Sequence, residues 1–214
     1  MGQAGHILVL GIGNLLWADE GFGVRAVEYL QRSYRFPEEV TVLDGGTQGL
    51  NLVGPVREAD VLVVLDAVDF GSAPGTLHRV RDEEVPQFLG AKKMSLHQTG
   101  FQEVLATAEL LGDPPGSMLL VGVQPEVLED YGGSLTDTVA AQLEPAVVEA
   151  VEYLRAFGVE PLPRSAEPEE EAGKPAAALA RSAYEEGRPG PEEACRFGDA
   201  RFLPLTGGPN GAAE

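Results

Sequence analysis

The sequence predicts an α/β fold, a three-layer sandwich in which a mainly parallel, twisted sheet of about five strands carries helices on both faces. Three observations predict it. Short apolar runs alternate with amphipathic stretches from residue 6 to residue 158. One run, Val61, Leu62, Val63, Val64 and Leu65, is unbroken, as a central parallel strand buried on both faces requires. Residues 136–157 carry Val139, Leu143, Val147, Val148, Val151 and Leu154 on one stripe at helical spacing.

Taken in order, residues 6–10 open the chain as a strand and residues 21–35 follow as a helix. In that helix Phe22, Val24, Ala26, Val27 and Leu30 face a core, leaving Arg25, Glu28, Gln31 and Arg32 for solvent. Residues 40–43 form the second strand, and a short helix over residues 50–57 leads into the central strand at 61–65. Residues 76–80 alternate apolar with polar and suit an edge strand. A helix over residues 99–111 is closed by Gly112 and the pair Pro114 and Pro115, before the last strand at 118–123. Gly158 stops the long helix that begins at residue 136.

Residues 1–158 are expected to be the one main domain of this 214-residue chain. The tail, residues 159–214, changes to Pro161, Pro163, the acidic run Glu169, Glu170 and Glu171, then alanine, glycine and proline. Too few of its residues fill a core, so disorder is expected there, with at most a short helix around residues 176–186.

A net charge of −19 and the lack of a basic patch exclude a nucleic-acid footprint, which needs clustered Lys and Arg against phosphates. The single cysteine, Cys195, makes neither an internal disulfide nor a CxxC site, which fits a reducing, cytoplasmic setting. Residues 1–6 lack the features of a secretory signal, and no run is long enough for a bilayer. The expected protein is soluble, monomeric and not inserted in a membrane.

In open α/β sheets ligands bind outside the carboxyl ends of the strands, so the loops there carry the functional reading. The first contains Gly11 and Gly13, but Leu16 stands where a dinucleotide fingerprint needs its third glycine. Asp19 and Glu20 follow, and acids before a helix are more often caps than metal ligands. After the second strand, residues 44–49 read DGGTQG, equally a turn and a loop shaped to let an extended peptide pass close to the backbone.

Asp66 is a stronger signal, because a carboxylate at the end of the most buried strand is costly unless paired, hydrogen-bonded or metal-bound. Asp69 reads as a turn residue bonding its own backbone. His97 sits in a loop beside a Thr99 cap, and a lone histidine is usually structural. His6 and His78 are read as structural too. Glu126 either lines the same edge or caps a turn.

Glu20, Asp66 and His97 nevertheless fall after three elements whose ends lie along one rim. Two carboxylates and an imidazole form an O,O,N set suited to a borderline divalent ion such as nickel or zinc. There is no HExxH helix, GxSxG elbow or Walker loop.

Five motifs occur together in order: GIGNLLWADEGFG at 11–23, DGGTQG at 44–49, VLVVLDAVDFG at 61–71, SLHQTG at 95–100 and GVQPE at 122–126. On them the sequence resembles the nickel-iron hydrogenase maturation endopeptidases over roughly residues 6–158. The resemblance implies an α/β sandwich that removes the C-terminal peptide of the hydrogenase large-subunit precursor after nickel insertion, the nickel arriving with that partner. It implies Glu20, Asp66 and His97 as the catalytic, nickel-contacting residues. Asp44, Gly45, Gly46 and Thr47 would lie near the substrate's C-terminal segment, Asp19 would support the first ligand and Gln98 would orient the third. Nickel then either polarises the scissile carbonyl and activates water, or serves recognition while Glu20 or Asp66 acts as general base. Two rival readings are a nickel-sensing docking or carrier protein without peptidase activity, and a related α/β peptidase with another protein substrate.

Overall fold

Every residue of β1 (Ile7–Ile12) and of β4 (Val61–Ala67) is buried, so neither strand can occupy a sheet edge. The structure, a computed structural model, describes residues 5–86, 96–164 and Tyr184, with the backbone alone for residues 96–99. Its main sheet has the order β3 (Val40–Gly46), β1, β4, β6 (Ser117–Val123), β5 (Leu77–Arg81). The first four are parallel and β5 pairs antiparallel with β6 as an edge strand. β1 and β4 run in register from Ile7 opposite Val61 to Gly11 opposite Leu65, which brings their carboxyl ends level.

Alternate residues of these strands point to opposite faces. On one face Ile7, Val9, Val63 and Val121 pack with Phe22 and Leu30 of α1 (Phe22–Ser33) and with Val151 and Leu154 of a later helix, Leu143–Arg155. On the other, Leu8, Leu10, Leu62 and Leu120 meet Val56 of α2 (Val53–Glu58) and Phe101, Val104 and Leu105 of α3 (Leu96–Leu110). Truncating a fully buried leucine of either layer to alanine costs about 2–5 kcal/mol. Helices thus cover both faces, giving the expected sandwich.

Several boundaries differ from the sequence reading for identifiable reasons. The helix expected at 136–157 is two pieces, α4 (Asp137–Ala140) and α5 (Leu143–Arg155). Pro145 has no N–H to donate to the carbonyl four residues back, so the backbone tightens at residues 141–142, where Gln142 N–H bonds Val139 O at 2.9 Å. Gly158, at φ +85, then closes α5 as expected: its N–H bonds Arg155 O while Val159 N–H reaches Leu154 O. Gly112 repeats this arrangement at the end of α3, with Asp113 N–H on Ala108 O.

α1 stops at Ser33 rather than residue 35, because Tyr34–Arg35 turns extended as β2 and pairs with β7 (Leu162–Pro163). A 3-10 turn, Gly49–Leu52, precedes α2. Arg25, expected in solvent, is only 5% exposed. Its guanidinium is held by the Glu28 carboxylate at 2.9 Å and lies 5.9 Å from the ring centre of Tyr184. The other expectations for residues 165–214 fall outside the described residues. Among the described residues no helix is long and apolar enough to cross a membrane.

Candidate active site

The loop between β1 and α1 lies against the strand ends because three glycines omit their side chains. A Cβ on Gly11 would meet Gly23 O at 2.3 Å, one on Gly13 would meet Glu20 O at 1.9 Å, and one on Gly23 would meet Leu65 O at 2.1 Å. The glycines that fail as a dinucleotide fingerprint are therefore packing devices, pressing the loop and the start of α1 onto β1 and β4. Within the loop Ala18 has φ +35, a left-handed conformation that costs a non-glycine residue on the order of 1 kcal/mol. Strain beside Asp19 and Glu20 is tolerated because the surroundings hold the turn.

Asp19 is what holds it. Its carboxylate is fully buried and accepts bonds from Glu126 N at 2.9 Å, Val127 N at 2.8 Å, and Thr136 N and Oγ1 at 2.7 and 3.2 Å. Its own N–H donates to Val127 O. The sequence reading of Asp19 as a cap of its own helix missed this long-range set. Its only signal was an acid beside a candidate ligand.

Glu20 lies in the 3-10 turn Ala18–Gly21, half-buried, with its N–H on Trp17 O at 2.8 Å. That turn packs against β4. Asp66 is the penultimate residue of β4, 2% exposed, opposite Gly122 of β6, and its Oδ1 accepts from Ala67 N at 2.8 Å. Glu20 and Asp66 thus belong to one carboxyl edge of adjacent strands. His97 is not in a loop: the backbone is helical from Leu96, which puts it in the first turn of α3. Side chains at His97 and Gln98 fall outside the described residues. Among the side chains that are described, no three His, Cys, Asp or Glu form a metal-holding cluster.

The DGGTQG loop closes the same edge. β3 carries a bulge there, Asp44 pairing with Gly11 and Gly46 with Ile12, while a Cβ on Gly45 would come 2.7 Å from Leu10. Gly46 is left-handed at φ +43. α3 packs on the turn Gly49–Leu52, with Gly100 close to Gly49. Asp44 reaches solvent, yet desolvation by the atoms packed round its carboxyl raises its pKa, against a lowering backbone bond from Gly46, and Glu28 adds to the rise.

Gln124, also missed, is 7% exposed at the end of β6. Its Oε1 accepts from Phe70 N and Ser72 N and its Nε2 donates to Asp69 Oδ1, pinning the loop that follows Asp66. A polar residue directly after the apolar run at 118–123 was the available signal. Asp69 makes the expected turn, accepting from Gly71 N. His6 bridges Glu58 O and Thr41 Oγ1, and His78 stacks on Phe70 and pairs with Ser72 Oγ, consistent with structural roles. Glu126 is exposed and contributes its backbone N–H to Asp19.

Fold and site define the class: an α/β sandwich whose acidic residues gather on glycine-rich loops at the carboxyl edge of a mainly parallel sheet. Residues 24–153 match the hydrogenase maturation protease family, and the chain belongs to that family of peptide-bond-hydrolysing endopeptidases. It is 61% identical over 198 residues to the hydrogenase expression/formation protein HupD of Thiocapsa roseopersicina, covering 92% of this chain and 90% of the relative. Identity to the hydrogenase 2 maturation protease of Escherichia coli is 48% over 162 residues, 75% of this chain and 98% of that one. The solved hydrogenase maturating endopeptidase HybD of Escherichia coli superposes with a TM-score of 0.71 at 46% identity, covering 74% of this chain and 98% of its own.

Proposed function

We propose that this endopeptidase removes the C-terminal peptide of a nickel-iron hydrogenase large-subunit precursor once nickel is in place. Glu20, Asp66 and His97 read the ion carried by the precursor, and residues 44–47 receive the segment to be cut. The observation that carries the reading is the pairing of Asp66, a carboxylate 2% exposed, with the Glu20 turn packed against the same strand. Two carboxylates at neighbouring positions of one strand edge offer the oxygen donors that a divalent cation takes. The relative described as a hydrogenase 2 maturation protease supports the substrate class.

Two carboxylates and an imidazole fit nickel chemically, and the open positions of such a set leave room for ligands from the precursor. Nickel brought by the precursor supplies Lewis acidity near the scissile bond. The chain's own residues orient it, and a carboxylate of the pair takes the proton of the attacking water. The setting is the cytoplasm, and the working form is a monomer.

The test is mass spectrometry of nickel-loaded and nickel-free precursor after incubation with the protein. Loss of a C-terminal peptide from the loaded form alone is the expected result. Equal cleavage of both forms removes nickel from the reading, and stable association without mass loss turns it into a docking factor.

A further inference from the structure

We infer that Asp19 is a positioning residue for peptide cleavage, a clasp that fixes Glu20 by tying its loop to the chain that follows β6. The inference rests on the role proposed for Glu20. Three segments distant in sequence meet at this one carboxylate: the turn Ala18–Gly21, the backbone at Glu126 and Val127, and Thr136 at the start of α4. Oδ2 takes three of the four donors and Oδ1 the fourth. Thr136 Oγ1 in turn accepts from Val139 N, so the clasp ends on the cap of α4.

Simple capping of the helix beside it does not describe this arrangement. None of these four donors to the Asp19 carboxylate comes from α1, which reaches Asp19 only through the Phe22 N–H on its backbone carbonyl, and the N-cap position of α1 is Gly21, with no side-chain bond. The loop before α1 and the chain after β6 are joined again nearby. Trp17 and Tyr131 form a β-bridge with their rings 5.3 Å apart, and Gly132 N–H bonds Leu16 O at 2.7 Å. Backbone strain at Ala18 falls between these two attachments. Releasing Asp19 lets Ala18 relax, and Glu20, the residue after Asp19, moves with it. Removing a group that orients a metal-contacting side chain typically costs about 10–100-fold in metal affinity or activity.

The test compares Asp19→Ala, Asp19→Asn, Thr136→Val and Thr136→Ser with the full-length protein, using nickel-loaded precursor well below each variant's melting temperature. Asp19→Ala is expected to lower kcat about 10–100-fold per folded molecule. Asp19→Asn retains one acceptor oxygen and falls between. Thr136→Val loses rate, and Thr136→Ser, which keeps the hydroxyl, restores it. In parallel, hydrogen exchange of the peptide spanning residues 14–21 is measured without precursor and is expected to accelerate in Asp19→Ala.

Unchanged kcat per folded Asp19→Ala molecule, or unchanged exchange, overturns the inference. Should Asp19→Ala fail to fold, equal rates and equal exchange in Thr136→Val and Thr136→Ser overturn it instead. A wild-type protein that leaves the precursor intact refutes the proposed substrate, and the exchange arm still decides on the clasp.

Discussion

Gly13 lies directly against the main chain of Glu20: a Cβ on Gly13, at φ +143, would sit 1.9 Å from the Glu20 carbonyl oxygen. Backbone cannot yield as a flexible side chain does, so an added methyl displaces the turn that carries Glu20. Gly13→Ala is therefore expected to cost about 2–5 kcal/mol, combining overpacking with a disfavoured φ. It should also depress precursor processing in the molecules that remain folded. Gly54, in α2, meets nothing within 4 Å of a built Cβ and has no positive φ. Gly54→Ala serves as the control, stabilising by about 0.4–1 kcal/mol with processing unaltered. Urea midpoints and processing rates check both; a Gly13→Ala protein as stable and active as wild type contradicts the packing argument.

Asp66→Asn keeps size and shape, and its amide oxygen still accepts from Ala67 N, the bond made at 2.8 Å in the native chain. The fold should survive, with a melting temperature close to wild type. Processing of nickel-loaded precursor should fall by at least about 100-fold, since the charge is what the proposed role uses. Glu20→Gln and His97→Ala are expected to behave alike in the same assay. Full activity in all three folded variants contradicts the site assignment.

The sheet and its layers were legible because burial on two faces leaves a direct trace, as in the apolar run of β4 and the stripe of α5. Asp66 was legible for the same reason, a charge closing an apolar strand. Asp19 and Gln124 were not. Their roles depend on donors 107 and more positions away for Asp19, and for Gln124 on loop backbone 52 and 54 positions away and the Asp69 carboxylate 55 away. Local patterns carry no such information. Arg25 was misassigned because helical spacing marks only the position facing outward, and the neighbouring Glu28 and Tyr184 cover it. The break before α5 has a local trace in Pro145, whose missing N–H interrupts the helix although the apolar stripe runs on across it.

Tyr153, on α5, has its phenol pushed up to about 12, first by burial, then by the Asp82 carboxylate, against the lowering effect of Arg81, whose guanidinium lies 5.6 Å from the ring centre. An acid with a raised folded-state pKa favours the fold while protonated. Its contribution is complete below the unfolded value of 10.0 and is lost as pH rises through about 12. Phenolate absorbance should show a late transition in wild type that disappears in Tyr153→Phe and moves to lower pH in Asp82→Asn. A difference titration centred near 10 contradicts this placement.

Asp44 titrates with the same sign but at the carboxyl edge of the sheet. Its pKa is raised above 3.8, chiefly by desolvation, so the carboxylate form is disfavoured in the fold, and the contribution of the protonated form is lost as pH rises through the folded value. Asp44→Asn removes that penalty while its amide oxygen still accepts from Gly46. Its stability advantage over wild type should therefore be absent below about pH 3.8 and grow as pH rises above it, read from urea midpoints across the acid range. If residues 44–47 receive the precursor's segment, the same variant should raise KM while the fold gains stability. A charge kept at a cost to the fold is what a binding role predicts, since natural sites trade stability for function. A variant less stable than wild type at neutral pH contradicts the desolvation argument, and an unchanged KM removes Asp44 from the substrate path.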